Sequence, residues 1–126
     1  MKQVLFIGAG GFVGAVLRYA ISGYVQSYAI RGNFPYGTLA VNLMGCFILG
    51  LLSYLGEVHN VLSPEARAFV LVGLLGALTT FSTFSNETLN LFRDANHTLG
   101  LLNLGAQIGL GLGAVWLGLT TAQWLW

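Results

Sequence analysis

The chain has 126 residues, of which 56% are hydrophobic and only 7% charged, and its formal net charge is +1. Soluble domains carry about a quarter charged residues, so this chain lacks the polar surface that water requires and belongs in a lipid bilayer. The near-neutral balance argues against nucleic acid, which is bound by clustered Lys and Arg, and the length allows one domain, residues 1–126.

Crossing ~30 Å of hydrocarbon takes ~20 helical residues. Four segments qualify, at about residues 4–25, 36–55, 66–92 and 99–125. The first follows Met1-Lys2 as a signal peptide would. It continues past a cleavage point and contains Arg18, so it is expected to stay in the mature protein. Arg18 lies in its second half, where an ionisable group marks an ion pathway or snorkels to the interface. Gly10 and Gly14 form a small-xxx-small face that lets helices approach closely.

A connection with Arg31, Gly32, Asn33 and Pro35 leads to the second span. Its midpoint is Asn42, with Thr38 one turn before and Gly45 one turn after. The Asn42 amide is suited to donate to an anion or to bond across to another helix. Cys46 follows, alone, so no intrachain disulfide forms. The next connection holds Glu57, His59 and Asn60, then Ser63-Pro64-Glu65, which reads as an N-cap, a proline at N1 and an acid in the first turn.

The third span carries Gly73, Gly76 and the run Thr79-Thr-Phe-Ser-Thr-Phe-Ser85, in which five of seven residues bear hydroxyls. Glycine and β-branched threonine are poor in a helix interior, so an interruption is expected near residues 76–80. Irregular backbone at membrane depth is tolerated only against protein or a water-filled cavity. Freed carbonyls there suit a cation, and the N–H groups of the new helix start favour an anion. Phe81 and Phe84 share a face at i, i+3 spacing; their electropositive edges suit contact with an anion, although spacing alone favours lipid contact or packing. Glu87 follows as the acid nearest the membrane interior.

After Arg93, Asp94, Asn96 and His97, the fourth span has Asn103, Gln107 and Gly111 on one side and Gly105, Gly109 and Gly113 on another. It reads as a polar face and a packing face, the latter serving either the monomer or an oligomer. The basic residues of the ends and loops divide evenly, Lys2 and Arg67 on one side of the membrane and Arg31 and Arg93 on the other, with Arg18 within its span able to snorkel toward the Arg31 side. The positive-inside rule then has almost no bias to act on, which points to insertion in both orientations with antiparallel pairing, the alternative being one weakly specified orientation. No nucleophile–base pair, Walker loop or metal-ligand cluster is present in the sequence, so an enzyme is not expected.

Three strings, Gly14-Ala-Val-Leu-Arg18-Tyr19, Gly37-Thr-Leu-Ala-Val-Asn42-Leu-Met-Gly45 and Gly73-Leu-Leu-Gly76-Ala-Leu-Thr79-Thr-Phe81-Ser-Thr-Phe84-Ser, together resemble the Fluc (CrcB) family of fluoride channels. The resemblance covers the whole chain. It implies an all-α membrane protein of four transmembrane helices with a broken third helix, forming an antiparallel dual-topology homodimer in the cell inner membrane. It implies passive F⁻ export that relieves cytoplasmic fluoride toxicity. It also implies a structural, untransported Na⁺ at the dimer centre, held by the backbone carbonyls of Gly76 and Thr79. On the same basis the fluoride pathway comprises Arg18, Asn42, Phe81, Ser82, Thr83 and Phe84, continued by Asn103 and Gln107. Gly111 and Val115 depart from the polar line of the family's fourth helix, and Ala77 replaces a second glycine. Two rival readings are a small multidrug-type dual-topology antiporter, which needs a membrane-embedded acid, and a non-transporting scaffold subunit, which leaves the hydroxyl run unexplained.

Overall fold

Apolar runs of this length have one inexpensive conformation in lipid, the helix that satisfies its own backbone. The computed structural model describes residues 1–29, 32–58 and 61–125; Arg31, His59 and Asn60 lie outside the described residues. Four helical spans result, Lys2–Tyr28, Tyr36–Val58, Pro64–Arg93 and His97–Leu125, each long and apolar enough to cross a membrane. The first two are α1 and α2. The third comprises α3 (residues 64–78) and α4 (Phe81–Arg93), and the fourth is α5 (His97–Leu125). Each outruns the stretch read from hydropathy. Polar and aromatic residues such as Gln26, Tyr28, Glu57 and His97 extend the helices beyond the purely apolar core.

Local chemistry sets the ends. Ser63 Oγ accepts from Ala66 N–H at 3.1 Å, with Pro64 in the first turn, as the sequence indicates. At the end of α4, Ala95 N–H donates to the Phe92 carbonyl at 3.2 Å and Asn96 N–H to the Leu91 carbonyl at 2.9 Å. This is a Schellman closure with alanine where glycine is usual, and Ala95 has φ 59°. The helices are not uniform: Ala68–Leu75 in α3 and Ala106–Leu110 in α5 widen into π-type turns.

Glycine decides which helices touch. α1 lies along α3, and α2 along the second half of α5. A Cβ at Gly10 would strike the Phe69 carbonyl, and one at Gly14 the Leu74 carbonyl. Gly50 and Gly118 meet the backbones of Val115 and Phe47 in the same way. By contrast, nothing approaches Gly105, Gly109 or Gly113 within 4 Å. The first glycine face therefore packs inside the chain, and the fourth-span face has no occupant among the described residues. Between the helices lies a small core of Val41, Leu75 and Leu78, backed by Ile21, Ile48, Leu71 and Leu74. Large apolar side chains such as Phe12, Leu112 and Trp116 point outward, as lipid permits.

Two substitutions should move stability in opposite directions. Ala95→Gly relieves the left-handed residue and should raise stability by about 1 kcal/mol. Gly118→Ala forces α2 and α5 apart and should lower it by about 2 kcal/mol or more. Thermal unfolding in detergent reads both.

Candidate functional site

The third span is where helical backbone gives way. α3 closes at Leu78, and Thr79 and Thr80 take extended angles, φ −83°, ψ 155° and φ −152°, ψ 109°, before α4 begins at Phe81. Gly76 itself remains helical at φ −61°, ψ −33°. The sequence placed the irregularity over residues 76–80; the extended residues are the two β-branched threonines rather than the glycine.

Two extended residues at membrane depth need hydrogen-bond partners, and side chains supply them. Asn42 Oδ1 accepts from the Thr80 N–H at 2.8 Å, and Asn42 Nδ2 donates to the Thr80 carbonyl at 3.3 Å. The same Nδ2 donates to Gln107 Oε1 at 2.9 Å. Thr80 Oγ1 caps α4 by accepting from the Thr83 N–H at 3.2 Å and donates to Thr83 Oγ1 at 2.9 Å. Ser82 Oγ lies 3.3 Å from Thr80 Oγ1. Because Thr80 N–H turns to Asn42 and Thr83 N–H to the cap, the carbonyls of Gly76 and Thr79 lose the donors a continuous helix would give them.

Beside this point a groove of about 320 Å³ brings together Asn42, Gly76, Thr79, Phe81, Phe84 and Gln107. Phe81 and Phe84 meet edge to face, with ring centroids 5.5 Å apart and planes at 70°. They differ in setting: Phe84 is 5% exposed, whereas Phe81 is 78% exposed. Gln107 Nε2 is a buried donor without a hydrogen-bond partner among the described residues. Of the two facing amides, Asn42 has both hydrogens engaged, whereas the Gln107 amide hydrogens are buried and unpaired among the described residues.

The remaining expected residues divide between other settings. Arg18 and Thr83 line a second cavity of about 460 Å³ that also touches Thr80. Arg18 forms no ion pair among the described residues. Asn103 is fully buried, donates to Thr88 Oγ1 at 2.8 Å, and lines none of the described cavities. Thr120, a possible continuation of the polar line, returns its hydroxyl to the Trp116 and Leu117 carbonyls, both at 3.0 Å.

A profile of the family described as "CrcB-like protein, Camphor Resistance (CrcB)" matches residues 5–119. The chain belongs to the CrcB family. Among its relatives, the "Fluoride-specific ion channel FluC" of Shewanella halifaxensis is 48% identical over 118 residues, 94% of each chain. The "Fluoride-specific ion channel FluC 1" of Methanosarcina acetivorans is 46% identical over 122 residues, 97% of this chain and 92% of the relative. The "Fluoride-specific ion channel FluC 3" of Methanosarcina barkeri is 41% identical, also over 122 residues. This CrcB protein is therefore a multi-pass membrane protein, with four helices able to span the bilayer.

The Thr38–Glu87 pairing and the Thr80 cap are not indicated by spacing within one span. Thr38 Oγ1 donates to Glu87 Oε1 at 2.7 Å, while Glu87 Oε2 is buried without a partner among the described residues. Thr80 was visible only as part of the hydroxyl run. A threonine just before the helical residues Phe81-Ser-Thr is an N-cap signal, and Thr80 fills that position. Thr80→Val should remove the cap and lower stability by about 1 kcal/mol in a detergent melt, with Thr80→Ser close to the unaltered protein.

Proposed function

We propose that this protein is a fluoride channel that exports F⁻ passively and so relieves fluoride toxicity in the cytoplasm. The observation that carries the reading is the groove at Thr79–Thr80, where Gln107, whose amide nitrogen is buried and unpaired, an edge-to-face phenylalanine pair and a helix start converge. A fluoride ion is small and strongly hydrated, so its pathway must replace water with donors, yet without a full opposite charge that would trap the ion. Gln107 Nε2, the Ser82 and Thr83 hydroxyls, and the edges of Phe81 and Phe84 are of that kind. The positive end of α4 adds to them. Asn42 contributes by holding Gln107 and Thr80 in register, and Arg18 raises the local anion concentration from the adjoining cavity. Asn103 belongs to the same polar side of α5, one turn from Gln107.

Half of the pathway wall is supplied from outside one chain. Phe81 is exposed, and the Gly105, Gly109 and Gly113 face of α5 stands open. Both support a homodimer, and the balanced loop charges support antiparallel, dual-topology pairing of four-helix transmembrane units in the cell inner membrane. The carbonyls of Gly76 and Thr79, relieved of helical donors and lining the groove, fit a hard monovalent cation such as a structural Na⁺. Two oxygens do not fill a cation's shell, so a second copy of the break would complete it. Bound there, the ion supplies fixed positive charge at the centre of the assembly; it is not transported.

Fluoride-electrode measurements on proteoliposomes, with chloride as control, test the reading and separate it from a proton-coupled antiporter or a scaffold. The unaltered protein should release fluoride and retain chloride. Phe81→Ile and Asn42→Asp should each abolish fluoride release while the dimer persists in light scattering. Undiminished flux in both would refute the pathway. Gly109→Leu should convert the dimer to monomers.

A further inference from the structure

Two cavities outside the groove share a wall. The cavity of about 460 Å³ contains Arg18, Thr80 and Thr83. The other, about 310 Å³, lies where α1 ends and α2 begins and contains Asn33, Glu87 and Asp94. Ser22, Gln26 and Thr38 line both. An ion passing from the second cavity toward Thr80 would have to pass this wall.

Gln26 fixes the wall at two points. Its Oε1 accepts from the Gly37 N–H at 3.0 Å, and its Nε2 donates to the Phe34 carbonyl at 3.2 Å. Gly37 is the second residue of α2, so its N–H is one of the four with no partner inside the helix. The cap comes from a neighbouring helix rather than from the residue before α2. At the same level Gly37 abuts α1, since a Cβ there would overlap the Ser22 carbonyl. The next residue, Thr38, is buried and donates to Glu87 Oε1 at 2.7 Å.

We propose that Gln26 is a positioning residue of the ion's access route: by capping α2 from α1, it holds Thr38 against Glu87 and sets the passage between the two cavities. The proposal rests on the fluoride reading above. Gln26 touches no pathway residue by hydrogen bond; it acts through the first turn of α2. A residue that only fastened the loop would alter stability without changing how the effect of Thr38 on flux is expressed.

The test is a double-mutant cycle with a second readout independent of transport. Gln26→Met keeps similar length and removes both hydrogen bonds; Thr38→Val keeps shape and removes the donor to Glu87. Each should reduce fluoride efflux about fivefold, and the double variant should fall no further, because the two act as a unit. Hydrogen exchange of the segment bearing Gly37 should be about tenfold faster in Gln26→Met and unchanged in Thr38→Val. Unaltered flux in Gln26→Met, or fold-losses that multiply in the double variant, would overturn the proposal. Unchanged exchange at Gly37 would overturn the clamp whatever the flux. Should Gln26→Met not fold, Gln26→Asn, one methylene too short to reach, is read by the same criteria. An unaltered protein that passes no fluoride would overturn the channel reading and with it the access role, while exchange at Gly37 still reports the clamp itself.

Discussion

The side chain of Asn42 grips both polar atoms of the Thr80 peptide, and the rest of the site depends on that grip. In lipid, an unsatisfied N–H or carbonyl costs several kcal/mol, so extended backbone survives only where other groups replace the helical ladder. One amide from α2 does much of this, accepting from the Thr80 N–H and donating to its carbonyl. The Thr80 hydroxyl caps α4 and removes another orphan donor. With the Thr80 N–H turned to Asn42 and the Thr83 N–H to the cap, the carbonyls of Gly76 and Thr79, two residues of the groove wall, lose their helical donors. The proposed cation edge and anion wall both rest on the same local departure from helix.

Glycine performs two separable tasks in this chain. At Gly10, Gly14, Gly50 and Gly118 the missing Cβ admits a neighbouring backbone, and these contacts hold the four spans together without any hydrophobic drive relative to lipid. At Gly105, Gly109 and Gly113 the same absence leaves a smooth strip with nothing on it. The strip lies across α5 from the buried Asn103 and Gly111, so one helix presents its polar side inward and its small-residue side outward.

Much of this was legible in the sequence, for identifiable reasons. Spans follow from apolar length, and the hydroxyl run stands out because lipid is a poor solvent for it. The Ser63-Pro64-Glu65 start follows from local chemistry alone. What resisted were partners. Whether Asn42 serves an anion or another helix depends on which residues face it across α3, α4 and α5, and spacing within α2 does not contain that. Gln107 sits in π-type turns, where 3.6-residue periodicity no longer gives the direction of a side chain. The Thr38–Glu87 bond joins residues 49 apart in sequence. Ala95 in a glycine position is likewise invisible to composition.

The Asn42 grip also bears on how the protein is made. Membrane helices leave the ribosome in chain order and associate once they are in the bilayer. α2 is therefore in place, with its amide waiting, before the third span delivers Thr79 and Thr80 into lipid. Gln107 arrives last, and Asn42 can then complete its set of bonds. The polar groups that lipid tolerates least reach their partners in the order of synthesis, so the irregular backbone need never stand unattended in the membrane.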